Sequence, residues 1–264
     1  MMSQLELEAR YAGVVSAKAA CFVYAERVEE AVDELGLLGE RDLLVDVLGG
    51  AGLRVADVRS RAAEIHAAGG MLLVDNTVPS SFGCEPFSCG ADLVFEALDR
   101  VAAGALGRKV VAIASRTHGL PASHALTVQD LDAIARGLDS LNERMQRHFD
   151  SARALAAYLS CCDELDEVAY PGLVAHVDHE LASRILRHGF GPAVDFVVPA
   201  YWGATARDVV ERCRLHGRDC PAGGFATRMH ARDGWDARAI RIFAGLDNPL
   251  EIAVDLDRAF RSFM

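Results

Sequence analysis

The chain has 264 residues, of which 51% are hydrophobic, and its formal net charge is −11. This length and apolar content suffice for one large domain or two modest ones, and the negative charge, with no basic stripe to offset it, argues against a nucleic-acid partner. No stretch reaches the roughly 18 apolar residues that span a bilayer, and the polar first residues lack a signal-peptide pattern, so we expect a cytoplasmic protein without a membrane partner.

The first half of the chain alternates helix-like and strand-like segments. Apolar residues at helical spacing predict helices over 25–35 and 55–68. Short apolar runs predict strands at 42–48, 71–75, 92–98 and 109–115. Strands joined by helices of this length are typical of βαβ units, so we predict an α/β domain with a mostly parallel sheet.

The second half changes character. Thr127 is suited to cap a helix that continues to about Leu159, with a kink near Gly137. Beyond it, strands are predicted at 165–171, 194–199 and 239–243, and helices at 178–187, 205–216 and 248–263. This order predicts a smaller α+β domain, with the boundary near residue 140. We therefore expect two domains, residues 1–140 and 141–264.

Asp75 is the first candidate site residue. It ends the apolar run MLLVD, and the carboxyl end of a strand in an α/β sheet is where such folds bind ligands. The alternative is an Asx turn, in which Asp75 or Asn76 bonds the nearby backbone. Position alone does not decide between the two.

Arg241 is the second candidate, because it lies inside the apolar strand AIRIFAG. A buried arginine there would need a carboxylate partner or an anionic ligand. If the strand is at the edge of its sheet, the side chain instead points to water. Without further information the edge position is favoured.

Metal and disulfide chemistry are not expected. His176 and His179 have the i, i+3 spacing of a metal-binding pair, but no third ligand is near in sequence, so a solvated loop or helix start is favoured. The seven cysteines include no CxxC pair. An odd number in a chain of this size does not fit a disulfide framework, so most are predicted to be reduced and buried.

Three segments together resemble a known family. LLVDNTVPSSFGCEPFSCGADLVFEALDRVAAG is similar to a core block of the pyridoxal-phosphate-dependent enzymes of Cys/Met metabolism, which include cystathionine γ-synthase, cystathionine lyases, methionine γ-lyase and O-acetylhomoserine sulfhydrylase. RGLDSLNERMQRHFDSARALAAYL, followed by VAYPGL and GFG, resembles the family's long helix and the opening of its C-terminal domain. IRIFAGLDNPLEIAVDLDRAF is similar to its closing strand and helix. The resemblance extends from about residue 42 to the C-terminus.

The resemblance implies a fold-type-I architecture, with a large sheet domain that is N-terminally shortened here and a small C-terminal α+β domain. It implies that Asp75 matches the aspartate that pairs with the pyridine nitrogen of the cofactor. It also implies that Arg241 matches the arginine that holds the α-carboxylate of the substrate.

Other family positions have changed. Counted without gaps, Arg100 stands in place of the lysine that forms the Schiff base, and Ala97 and Asp99 replace the Ser and Thr that bind the cofactor phosphate. The family's Gly-rich phosphate loop and ring-stacking aromatic have no counterpart that we can place in residues 1–41. The family's Ser-Leu-Gly substrate contact reads Tyr201-Trp202-Gly203.

These changes favour a non-catalytic relative of the trans-sulfuration enzymes, without a catalytic residue or bound cofactor. Its role would be structural or regulatory, as a homo-oligomer or in complex with a full-length paralogue. The first alternative is a pyridoxal-phosphate-dependent C–S lyase or synthase that uses Lys109 or Lys18, or a site completed by another chain. The second is an amino-acid-binding protein that uses the Arg241 pocket.

Overall fold

The computed structural model describes residues 2–117, 119–214, 223–232 and 236–264. In chain order, its helices are α1 (Gln4–Val14), α2 (Val28–Glu34), α3 (Val58–Ala67), α4 (Ser80–Gly83), α5 (Val128–Asp139), α6 (Leu141–Leu159), α7 (His179–Ile185), α8 (Ala206–Arg212) and α9 (Pro249–Arg261). Its strands are β1 (Ala19–Tyr24), β2 (Leu43–Asp46), β3 (Leu48–Gly49), β4 (Arg54–Val55), β5 (Leu72–Asp75), β6 (Leu93–Ala97), β7 (Val110–Ser115), β8 (Glu167–Ala169), β9 (Ala193–Val197), β10 (Arg228–Ala231) and β11 (Ala239–Phe243). No helix in these ranges is long and apolar enough to cross a membrane.

The chain folds into two compact units. The first unit comprises Met1–Leu48 and Val55–Asn142, and the second comprises Gly49–Arg54 and Glu143–Met264. A short segment from the first half of the chain therefore belongs to the second unit. No pattern in the sequence marks that exchange.

The first unit is built on a five-stranded sheet in the order β1-β7-β6-β5-β2. The pairs β2–β5 and β5–β6 are parallel, whereas β7 is antiparallel to both of its neighbours, β6 and β1. Four of the five strands consequently share one direction and β7 runs opposite to them, so the sheet is mixed. The apolar faces of the central strands supply the core, for example at Leu73, Phe95 and Ile113. Because β2 and β5 are parallel and in register at Asp46 and Asp75, they end side by side at the carboxyl edge of the sheet.

The second unit is built on an antiparallel sheet in the order β10-β11-β9-β8. Its core includes Phe196 of β9, Ile242 of β11 and Phe260 of α9. Strand β11 is interior, so the prediction that Arg241 lies on an edge strand and faces water is wrong. The edge is covered by β10, whose sequence RMHA has only Met229 as a large apolar residue and therefore gives no strand signal.

The predicted long helix forms as two. Thr127 is the N-cap of α5, and its side chain accepts a hydrogen bond from the backbone N–H of Asp130. The break falls at Ser140 rather than at Gly137. Gly137 has a different function, because a Cβ added to it would lie 1.8 Å from the carbonyl oxygen of Val101. This glycine allows the helix to approach the backbone that follows β6.

Candidate functional site

Asp75 lies at the carboxyl end of β5, where the sequence places it. Its Oδ1 accepts a hydrogen bond of 2.8 Å from the backbone N–H of Thr77, which is the Asx-turn geometry. The pKa of Asp75 is raised to about 6, mainly by burial and also by the neighbouring carboxylates Asp46 and Glu29, against the hydrogen bonds of Thr77 that lower it. The side chain is half-buried. The turn occupies one carboxylate oxygen and leaves Asp75 in an acidic neighbourhood.

Arg100, at the position matched to the Schiff-base lysine, is only 2% exposed. Its Nη1 donates a hydrogen bond of 2.9 Å to the carbonyl oxygen of Val78. Its positive charge also lowers the pKa values of Glu96 and Asp99, in opposition to their burial. Arg100 is therefore engaged by groups of its own unit, as a hydrogen-bond donor and as a charge that compensates buried carboxyls.

Asp99 and Ala97 flank this arginine at the positions matched to the phosphate contacts. Burial raises the pKa of the half-buried Asp99, while Lys109 and Arg100 lower it. The backbone N–H of Ala97 donates to Oγ1 of Thr77 over 2.9 Å. A carboxylate and a methyl group thus stand where the resemblance implies two hydroxyls.

Glu96 is a buried carboxyl that sequence reasoning missed. It is 1% exposed, and its two oxygens accept hydrogen bonds of 2.9 Å from the hydroxyl of Tyr11 and from Nδ2 of Asn76. Burial is the main cause that raises the pKa of Glu96, which is about 7. The two hydrogen bonds, a third from the backbone of Ser81, and the charge of Arg100 all act to lower it. A carboxylate inside the apolar run LVFEA was the available signal, by the same logic that singled out Arg241.

The two lysines lie at opposite ends of the strands of the first sheet. Lys109 directly precedes β7, and the N–H of Leu98 bonds the carbonyl of the next residue, Val110, so this lysine is at the edge where β5 and β6 end. It is half-exposed and its Nζ lies 3.1 Å from Oε2 of Glu26. Lys18 precedes β1, and its N–H bonds the carbonyl of Ser115, which places it at the amino edge. Of the two lysines, only Lys109 lies at the same end of the sheet as Asp75.

Arg241, in the second unit, is paired within its own sheet. Its Nε donates to Oδ1 of Asp195 over 2.6 Å and its Nη2 donates to Oδ2 over 2.7 Å, a bidentate pair. Nη2 also donates to the carbonyl oxygen of Gly50 over 2.6 Å. The side chains of Arg241 and Asp195 are 4% and 0% exposed. Arg241 is therefore a buried, partnered arginine.

The histidine pair is bound to the backbone. His176 Nε2 lies 2.8 Å from the carbonyl oxygen of Gly52, and His179 Nδ1 lies 2.8 Å from that of Pro171. Across the described ranges, no group of three or more His, Cys, Asp or Glu side chains is arranged to hold a metal ion. The cysteines within those ranges are free thiols, and Cys220 lies outside them.

The Tyr201-Trp202-Gly203 segment divides its side chains between water and the core. Tyr201 is 72% exposed, whereas Trp202 is 7% exposed. The Trp202 ring packs against Phe260 and Phe263, with centroids 5.3 and 6.0 Å away. The tryptophan at the matched substrate-contact position is thus a core residue of the second unit.

These residues do not fit pyridoxal phosphate bound through a Schiff base. A lysine amine condenses with an aldehyde, whereas a guanidinium stays protonated in proteins and cannot. Arg100 is buried and bonded to Val78, and Asp99 adds a carboxylate where a phosphate would be. Asp75 alone has a position that suits the cofactor role implied by the resemblance.

Comparisons with known proteins find lyases of sulfur amino acids. The chain is 26% identical over 231 residues to a cystathionine gamma-lyase of Dictyostelium discoideum, which covers 78% of this chain and 59% of that protein. It is 31% identical over 235 residues to a cystathionine gamma-lyase of Bos taurus, covering 80% of this chain and 58% of that protein. The chain therefore spans less than two thirds of the length of these relatives.

Solved structures match the fold over a larger share of both chains than the sequence comparisons do. A solved structure of cystathionine gamma-lyase from Lactobacillus plantarum, complexed with L-serine, superposes with a TM-score of 0.87 at 17% identity, covering 98% of this chain and 86% of that one. This likeness shows the fold-type-I architecture that the family resemblance implies. The family model described as Cys/Met metabolism PLP-dependent enzyme matches residues 41–261. The chain thus belongs to the pyridoxal-phosphate-dependent enzyme family of Cys/Met metabolism.

Proposed function

We propose that this chain is a non-catalytic member of its family with a structural or regulatory role. The observation that carries the proposal is Arg100, which is buried at the position of the family's lysine and donates a hydrogen bond to Val78. No side chain at that position can supply the amine that Schiff-base chemistry requires. Arg100 instead compensates the buried charge of Glu96 and Asp99.

The neighbouring carboxylate supports the same proposal. Two like charges about 4 Å apart repel by roughly 4 kcal/mol at an effective dielectric constant of 20. Losing one hydrogen bond to a charged group weakens binding by roughly a further 1.5–3 kcal/mol. Asp99 and Ala97 would therefore both weaken the binding of a phosphate at this edge of the sheet.

The role would be exercised through association, either with a second copy or with a full-length relative. Helix α9 supports this, because Leu250 and Val254, four residues apart, are 72% and 70% exposed. Apolar side chains at that spacing form one stripe on a helix and are often covered by a partner. Sedimentation at micromolar concentration is expected to show an assembly, and a stable monomer that also fails to associate with a full-length relative would contradict this part of the proposal.

The first experiment is a visible-absorption titration of the full chain with pyridoxal phosphate, followed by borohydride trapping. We expect no internal-aldimine band and no modified lysine at a defined position. The alternative, a pyridoxal-phosphate-dependent C–S lyase or synthase, would use Lys109 or Lys18, or a site completed by another chain. Of the two lysines, Lys109 lies at the same end of the sheet as Asp75. A saturable band that is lost in Lys109→Arg, accompanied by turnover of cystathionine or methionine, would establish that alternative.

The second experiment asks how far the site has changed. Arg100→Lys alone is not expected to trap the cofactor, because its amine would lie among Val78, Glu96 and Asp99 without a phosphate anchor. The triple change Ala97→Ser, Asp99→Thr and Arg100→Lys should trap more. Arg61→Lys, on the exposed face of α3, is the matched control for a new surface amine. If Arg100→Lys traps cofactor at residue 100 as well as the triple variant does, the non-catalytic proposal loses its support.

A further inference from the structure

We infer that Asp195 is the resident carboxylate of the Arg241 guanidinium, and that it is the residue that prevents this unit from binding an external carboxylate. The inference goes beyond the proposed function, because it concerns the second unit and does not depend on whether a cofactor binds in the first. It also opposes the alternative of an amino-acid-binding protein that uses Arg241. The Arg241 N–H groups that could bind a carboxylate are already used within this unit.

A guanidinium offers a carboxylate two kinds of bidentate fork, one formed by Nε and Nη2 and the other by Nη1 and Nη2. Asp195 fills the first, with distances of 2.6 and 2.7 Å. The second requires a hydrogen of Nη2 as well. Nη2 carries two hydrogens, and they are directed at Asp195 Oδ2 and at the carbonyl oxygen of Gly50, 2.6 Å away. Neither fork is therefore left for a ligand.

The backbone fixes this arrangement before any ligand arrives. Arg241 of β11 and Asp195 of β9 are directly opposite in an antiparallel pair, so their side chains project from the same face of the sheet. An intramolecular partner held in this orientation has an effective concentration well above that of a millimolar metabolite. Burial strengthens the advantage, because the Asp195 side chain has no exposed surface and would be left without its partner if a ligand displaced it.

The segment Gly49–Arg54 closes the other side of the pair. Besides the bond from Arg241 to Gly50, Nη2 of Arg232 lies 3.4 Å from the same carbonyl oxygen. Arg54 forms a bidentate pair with Asp178 at 2.5 and 3.0 Å. The arginine that the family resemblance assigns to substrate binding thus helps to hold a backbone segment of its own unit.

The test is chemical rescue in the full chain. Asp195→Ala removes the resident carboxylate, and formate or acetate is then expected to bind the guanidinium. We expect a saturable rise of at least about 2 °C in the midpoint of thermal unfolding with either anion, relative to chloride at equal ionic strength. Wild type should show no difference between these anions, and Asp195→Ala combined with Arg241→Met should show no rescue.

Two results would overturn the inference. One is a folded Asp195→Ala protein, verified by circular dichroism, in which formate and acetate stabilise no more than chloride. The other is saturable binding of acetate or L-alanine to wild type in calorimetry, lost when Arg241→Met is combined with Asp195→Val, so it does not depend on Asp195→Ala folding. Neither readout involves the cofactor spectrum, so a failure here is distinguishable from a failure of the proposed function.

Discussion

The two units bury a carboxyl group in different ways. In the first, Glu96 is surrounded by neutral donors, with the hydroxyl of Tyr11 and the amide of Asn76 on its two oxygens. In the second, Asp195 faces the full positive charge of Arg241 in a bidentate pair. The positive charge of Arg100 also acts on Glu96 and lowers its pKa.

The difference sets how each carboxyl should respond to pH and to substitution. Neutral donors stabilise a carboxylate less than a partner charge does, so burial prevails at Glu96 and its pKa is raised to about 7. A paired charge instead makes each partner depend on the other, because removing one leaves an uncompensated ion in the interior. The first unit should therefore be sensitive to pH, and the second to mutation.

The largest expected effect is in the second unit. Arg241→Met leaves Asp195 buried without its partner and should lower the free energy of unfolding by about 3–5 kcal/mol. Adding Asp195→Val should recover much of this loss, since an apolar pair of similar volume needs no compensation. Urea unfolding of the two single variants and the double variant gives the coupling energy. The control is Arg153→Met, because its ion pair with Asp150 is largely exposed, and a change of at most about 0.5 kcal/mol is expected there.

The next effect is the pH dependence of the first unit. The pKa of Glu96 is 4.5 in the ordinary case and about 7 in the folded chain, so the folded state holds a proton that the unfolded state has lost. Its contribution is fully present below pH 4.5 and is lost as the pH rises towards 7, a change of roughly 3 kcal/mol. Asp75 contributes in the same direction, because its pKa is raised from 3.8 to about 6 in the folded chain.

Glu96→Gln isolates that contribution. The glutamine stays uncharged and keeps an oxygen that can accept from Tyr11 or Asn76, so the unfolding free energy should vary less between pH 5 and 7.5 than in wild type. Glu143→Gln, an exposed residue of α6, is the control and should retain the wild-type dependence. Parallel curves for wild type and Glu96→Gln would mean that Glu96 does not titrate in this range.

The sequence predicts the strands well where apolar runs hold at most one charged residue between their ends. MLLVD, DLVFEAL, KVVAIAS and AIRIF became β5, β6, β7 and β11. It fails for β1 and β10, because AACFVY mixes small and aromatic residues and RMHA is mostly polar. Those strands form through pairing with distant segments, a tertiary effect that local patterns do not carry.

The candidate sites show the same limit. Arg241 could be singled out as a charge inside an apolar strand, but its pairing with Asp195 could not be predicted, because Asp195 is 46 residues away and the two meet only through the order of the sheet. The position of β11 inside that sheet depended on the unpredicted β10. Glu96 and Asp195 each interrupt an apolar run, as Arg241 does, and that signal was available for both.

The smallest predicted effect concerns Tyr11, which links α1 to Glu96. Tyr11→Phe keeps the edge-to-face contact with Phe22, whose ring centroid is 5.8 Å away, and removes only the hydroxyl that donates to Glu96. Because that bond favours the ionised carboxylate, its loss should raise the pKa of Glu96 further. The cost in unfolding free energy should be about 2 kcal/mol at pH 8 and about 1 kcal/mol at pH 5.5.

Tyr170→Phe in the second unit is the matched control for this pH dependence. Its hydroxyl is also buried, but it donates to a neutral acceptor, the carbonyl oxygen of Gly191, over 3.4 Å. Since that carbonyl does not titrate, the cost of Tyr170→Phe should be equal at pH 5.5 and pH 8. Urea unfolding of both variants at the two pH values gives the comparison. An equal cost for Tyr11→Phe at both would show that its partner is not the titrating Glu96, and the contrast between the two units would then rest on the Arg241–Asp195 pair alone.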